Sequence, residues 1–171
     1  MANTTFSGPV RSLNGFISFG PKAVVSLTAD ATLTVAAHAG RLLTCNKADG
    51  VFTLPTITSG SSSDVAGAND YNVLSNLGCT YTFWVQTAAS DMDIKTDGTD
   101  KFYGSVFTCI NNSVGKLFIS QTDNDVLTTN GGTKGGVVGS WVQFTAIASA
   151  AYYVTGTLLA VGTVATPFAD S

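Results

Sequence analysis

The side chains able to do chemistry are few. His38 is the only histidine, Cys45, Cys79 and Cys109 are the only thiols, and all 11 acidic residues are Asp. A nucleophile, base and orienter set would have to use His38, which follows Ala36-Ala37 and precedes a turn at Gly40, the setting of an ordinary surface histidine. Gly60-Ser61-Ser62-Ser63-Asp64 lacks the last Gly of a nucleophile elbow and the strand-to-helix setting around it. Lys134 lies among the glycines of 131–136, but a phosphate-binding loop needs Gly-Lys followed by Ser or Thr at the head of a helix, and here Gly135-Gly136 follow. Asp91, Asp93, Asp97 and Asp100, with Gly98, form the one acidic cluster, and hard cations prefer such oxygens. Their spacing departs from the calcium loop and its bidentate Glu is missing, so a solvated turn between strands is the favoured reading. No Cys-x-x-Cys pair supports zinc. Three cysteines far apart in sequence are expected as reduced thiols. The expectation is a non-enzyme with no catalytic residue, metal or cofactor.

The elements that would carry these residues read as short strands. Ala23 to Leu27, Thr32 to Ala37, Arg41 to Cys45 and Val51 to Leu54 are divided by small turn residues. In the second run Leu33, Val35 and Ala37 alternate with Thr32, Thr34 and Ala36, as in a sheet with one buried face. Asp49-Gly50 suggests a hairpin turn of type I′. Pro55 to Gly78 is the longest irregular stretch, with a turn or two of helix expected over Asp70 to Leu77; a loop this long tends to be functional or mobile. The pattern then resumes at Thr80 to Thr87, Met92 to Thr96, Lys101 to Cys109, Lys116 to Ser120, Trp141 to Ile147 and Ala151 to Thr155. Tyr81, Phe83 and Val85 alternate with Thr82, Trp84 and Gln86, which leaves Trp84 for the face away from the core, at an edge or an interface. Trp141 falls in the strand expected to be central, so core packing is its stronger reading. Gly131 to Gly136 reads as a mobile surface loop, and no repeat of 20 to 50 residues stands out.

The fold class expected is all-β, an antiparallel β-sandwich or jelly-roll-like barrel, because no amphipathic crossover helix separates the strands as a parallel sheet would require. Residues 23–171 form a single β domain on this reading. Residues 1–22, broken by Gly8, Pro9, Gly15, Gly20 and Pro21, form an extended N-terminal arm, either packed on its own domain or docked through its aromatics on a neighbouring subunit.

Composition narrows the partners. The 171 residues include 8 Lys or Arg, and charged residues make up 11% of the chain, less than half the usual share of about 25%. With a net charge of -3 and no basic cluster, nucleic acid is not expected as a partner. No charge occurs from Gly135 to Ala169, but polar residues and glycines interrupt that stretch, so no membrane span is expected. No secretory signal is read at the N-terminus, which has one basic residue and no apolar run before Gly15.

Several stretches together carry a resemblance. Met1-Ala-Asn-Thr-Thr-Phe-Ser-Gly-Pro-Val-Arg-Ser12, followed by Asn14-Gly15-Phe16, resembles the opening of virion structural proteins of tailed bacteriophages, marine ones especially. Thr32-Leu-Thr-Val-Ala-Ala, Ala39-Gly40-Arg-Leu-Leu and Val51-Phe-Thr-Leu-Pro55 are similar to their pattern of strands around an Ala-Gly turn. Gly139-Ser-Trp-Val-Gln-Phe-Thr145, Tyr153-Val-Thr-Gly156 and Ala165-Thr-Pro-Phe168 look like their C-terminal end. The run after Leu54-Pro55 is longer and more polar than the usual pattern. The resemblance implies a capsid decoration, or cement, protein that is made in the bacterial cytoplasm and binds the outer surface of an assembled head. Its partners would be the major capsid protein and further copies of itself, often as a homotrimer. Contacts are expected from Phe6, Pro9, Val10, Phe16 and Phe19 of the arm and from Trp84. Two alternatives share the composition: a tail or fibre component, and a carbohydrate-binding module that exposes Trp84, Tyr103 or Trp141 on a sheet face.

Overall fold

A computed structural model describes residues 23–58, 76–110 and 114–171. The arm at 1–22, with Phe6, Pro9, Val10, Phe16 and Phe19, lies outside the described residues, as does most of the helix expected from Asp70 to Leu77.

The chain is all-β and sandwich-like. One sheet has seven strands in the order β1 (Val24–Leu27), β3 (Leu42–Cys45), β5 (Thr80–Val85), β10 (Trp141–Ala148), β11 (Ala151–Ala160), β7 (Lys101–Ile110) and β8 (Gly115–Ile119). The other has five, in the order β12 (Phe168–Ala169), β9 (Val126–Thr129), β6 (Met92–Lys95), β4 (Val51–Thr53) and β2 (Ala31–Thr32).

The pairing is mixed where antiparallel pairing is expected from the sequence. β1, β3 and β5 run parallel in the large sheet, and β2, β4 and β6 run parallel in the small one. From β1 to β6 successive strands alternate between the sheets, so these six strands wind as a three-turn coil. A parallel pair needs a long crossover, usually a helix. Here each crossover includes a strand of the opposite sheet, β2 between β1 and β3, β4 between β3 and β5, so parallel strands occur with no helix longer than the single turn α1 among the described residues. Val24 lies beside Leu42 and Leu42 beside Thr82; Ala31 lies beside Phe52 and Phe52 beside Ile94. Adjacent turns are linked at the corners by Asn46 N–H donating to Leu27 O at 2.9 Å and Gln86 N–H to Cys45 O at 3.0 Å. Partners in the first two turns lie 18 and 21 positions apart, Val24 with Leu42 and Ala31 with Phe52, so the turns match in space without a fixed period in sequence.

Between the second and third turns the chain departs at Thr58 and returns at Asn76. Asn76 is buried, its Oδ1 accepts from Thr58 N at 2.8 Å, its Nδ2 donates to Thr56 O at 2.9 Å and its own N–H donates to Thr58 O at 3.0 Å. These three bonds close the coil across residues 59–75.

After the coil the chain builds outward. β10 and β11 form a tight hairpin with Ala150 at φ 58°, while β7 pairs β11 in parallel and β8 antiparallel. β9 and β12 extend the small sheet beyond β6. Inward side chains of the two sheets interlock through rings: Phe52 on β4 stacks against Phe83 on β5 at 6.2 Å, and Phe144 on β10 meets Phe83 at 5.9 Å and Phe102 at 4.8 Å. Such ring pairs add to the area they bury.

Two local expectations are overturned. Thr32 to Ala37 is not one strand: β2 ends at Thr32, Leu33 is buried, and Thr34 caps a single helical turn, α1 (Val35–His38), by accepting Ala37 N–H on Oγ1 at 3.3 Å. A threonine hydroxyl at an N-cap satisfies an otherwise orphaned N–H, and Ala36-Ala37 suit the turn that follows. Asp49-Gly50 is a corner between sheets, not a hairpin, and neither residue has positive φ. Gly50 is needed for space instead, because a Cβ there would lie 2.5 Å from Cζ of Phe52.

Candidate functional site

The pleat sorts each strand of the large sheet into two faces. Tyr81, Phe83 and Val85 on β5, Val142, Phe144 and Ala146 on β10, and Tyr152, Val154 and Leu158 on β11 point into the sandwich and are buried. The alternate residues form the outer face, and register lines them up across strands. One row runs Trp84, Trp141, Thr157, Phe107, Leu117. The next runs Leu42, Thr82, Gln143, Thr155, Ser105, Ile119, with Gln143 Nε2 donating to Thr82 Oγ1 at 2.9 Å. Tyr153 and Tyr103 are neighbours in a third row.

This face gathers most of what is apolar and exposed. Of the fourteen large apolar side chains exposed among the described residues, eight stand on it: Val24, Leu42, Tyr103, Phe107, Leu117, Ile119, Trp141 and Tyr153. Among the described residues its only charged position, Lys101, is at the end of β7 and turns to Asp125, Nζ to Oδ2 at 2.8 Å. Trp84 lies where alternation puts it, half-buried between β3 and β10. Trp141 does not pack in the core: it is 40% exposed, because the inward residues of β10 are Val142 and Phe144. Phe107, Tyr153, Leu117 and Ile119 were missed as surface residues. Their strands carry apolar residues at both parities, and sequence alone does not say which parity faces in.

The outer face of the small sheet has the opposite character. Asp91, Asp93, Lys95, Thr128 and Asp170 border an open groove of about 420 Å³. The four acids of the expected cluster separate: Asp91 and Asp93 border this groove, whereas Asp97 and Asp100 brace the start of the 55–58 segment. Asp97 accepts from Thr56 Oγ1 and from Thr99 N and Oγ1, and Asp100 Oδ2 accepts from Ile57 N at 2.8 Å. No group of three metal-ligating side chains forms among the described residues.

These bonds set a pH dependence. The hydroxyls of Thr56 and Thr99 hold the Asp97 carboxyl down to about 2, so its stabilisation is complete above the ordinary carboxylate range and is lost as pH falls toward 2. Asp125, held by Lys101 and by Ser171 N and Oγ, is lowered and acts in the same sense. Burial raises Asp100, which acts in the opposite sense. The expected result is a melting temperature that falls between about pH 4 and pH 2. In Asp97→Asn the fall should be shallower when thermal melts are compared across that range; an unchanged slope would refute the assignment.

The glycine-rich loop is neither a phosphate cradle nor a free surface loop. Asn130 Oδ1 accepts from Gly132 N and Lys134 N, Gly131 N–H donates to Gly135 O at 2.7 Å, and Gly135 and Gly136 are buried. Val161 N and Ala165 N donate to Gly132 O and Thr133 O, which pins the loop to the C-terminal segment. His38 Nδ1 accepts from Thr34 N at 2.9 Å within the α1 turn. All three cysteines are free thiols, and burial pushes Cys45 up to about 12. No helix among the described residues is long and apolar enough to cross a membrane.

No protein family matches this chain, and neither a curated protein nor a solved structure matches it.

Proposed function

We propose that this chain is a non-enzymatic virion structural protein of a tailed bacteriophage, a decoration protein that binds the outer surface of the assembled head. The observation that supports the reading best is the broad, uncharged outer face of the seven-stranded sheet, a surface with the composition of a protein contact. The resemblance of both chain ends to phage virion proteins adds the setting. In this reading the β domain associates with itself, as a homotrimer on the resemblance, and residues 1–22 meet the major capsid protein. Extra subunits bound across an assembled shell and not to free capsid subunits stabilise the shell by mass action.

A carbohydrate-binding module is the second reading, favoured by Trp141, Tyr103 and Tyr153 exposed on one face of a sheet. Leu42, Leu117 and Ile119 flank these rings and offer no aromatic face to a sugar, which weighs toward a protein partner.

The deciding measurement is the copy number of the chain per purified virion, by quantitative mass spectrometry against the major capsid protein. Decoration requires a count comparable with the capsid protein. A count of a few copies would place the chain in the tail or fibres, and absence from the particle would end the reading.

A further inference from the structure

We infer that the outer face of the seven-stranded sheet is the contact surface for a second copy of this chain. The inference rests on the reading of the chain as an assembling structural protein and names the surface that assembles.

Size is the first argument. Seven strands at about 4.8 Å spacing, with outward rows spread over roughly 20 to 25 Å of strand, give a face on the order of 700 Å². Each partner in a standard protein interface contributes about 800 Å². Trp141 and Phe107 lie on the interior strands β10 and β7, with Leu42 toward one side and Leu117 on the edge strand β8. Large rings near the centre of a patch are the usual anchors of binding energy.

Charge selects the occupant. Two copies of a face with net charge repel each other, so a self-contact favours a face without net charge. This face has only Lys101, at its margin and already paired with Asp125. The groove on the small sheet, with Asp91, Asp93 and Asp170 against Lys95, would repel its own copy. The outer face of the large sheet is thus the one suited to meet itself across a two-fold axis, a contact separate from the homotrimer that the resemblance implies, and two such sheets pack about 10 Å apart with interdigitated side chains.

The chain reports on this contact without modification, since its 2 tryptophans, Trp84 and Trp141, are neighbours in register on this face. The full chain should elute in size-exclusion chromatography with light scattering at a multiple of the monomer mass. Its tryptophan emission should shift to the red as dilution drives dissociation. The double variant Phe107→Lys with Tyr153→Lys should weaken association by about 100-fold or more, since it buries unpaired charge in the contact, while Thr53→Lys on the small sheet should leave the mass unchanged. A wild-type chain that stays monomeric at high micromolar concentration would overturn the inference. So would an oligomer whose tryptophan emission ignores dissociation, a readout that stands even where the double variant fails to fold. An oligomer that responds in this way, from a chain absent from virions, keeps the contact and ends the decoration reading. A monomeric chain present at high copy number on heads does the reverse.

Discussion

Replacing Gly104 by valine should prevent the β domain from folding. Gly104 sits inside β7, between β11 and β8, at φ 140°, a conformation that side chains rarely adopt. A Cβ on it would lie 2.1 Å from Val154 O and 3.1 Å from Val154 C and N. The obstacle is the backbone of β11, which is paired on one side to β7 over its whole length and on the other to β10. It has no free direction in which to yield. The strain should exceed about 3 kcal/mol, a large part of the ~5–15 kcal/mol that holds a domain together. Circular dichroism and a thermal melt of the soluble fraction read the outcome. The milder Gly104→Ala should still lower the melting temperature by more than about 5 °C; a melt within error of wild type would refute the account.

Phe52→Ala should be the costliest single truncation in the core. The ring is fully buried, lies over Gly50 and stacks on Phe83, and through Phe83 it couples β4 of the small sheet to β5 and β10 of the large one. Because Gly50 presents no side chain and Phe83 is held by Phe144, the space left by the ring cannot collapse, and the loss should be about 3–5 kcal/mol. Urea unfolding should show it as a lower midpoint at an unchanged slope. Phe107→Ala, the same chemical change on the exposed outer face, should cost less than about 1 kcal/mol at monomer concentrations. Equal losses at the two positions would contradict the assignment of faces.

How much of this was legible in the sequence varies from element to element. β5 was fully readable, because Tyr81, Phe83 and Val85 alternate cleanly with polar partners and one aromatic. β7 and β8 were readable as strands but not as faces, since Phe102 and Tyr103, or Leu117 and Phe118, put apolar groups at both parities. β9 and β12 were missed because Val126–Thr129 and Phe168–Ala169 are too short for a period to appear. A central strand suggests core packing for Trp141, and register with Trp84 and Thr157 decides otherwise. The coil escaped notice because its corners differ in length while its strands stay in register, so partners are not at a constant separation in sequence. A trace was present at the corners. Asp30, Asp49 and Asp91 each follow a small residue after a strand of the large sheet, and Lys47 bridges the first two at 3.1 and 2.9 Å. The candidate face itself was barely legible, because it is a product of seven registers, and register is a property of the fold and not of any one segment.

The clasp of Asn76 on Thr56 and Thr58 ties together two points of the chain that are 18 positions apart in sequence. Its three hydrogen bonds offset, at one corner of the coil, the entropy of closing the chain between those points. That entropy grows by only about 0.6 kcal/mol for each doubling of the length enclosed. A parallel pairing of β3 with β5, distant in sequence, thus starts from ends that are already held together.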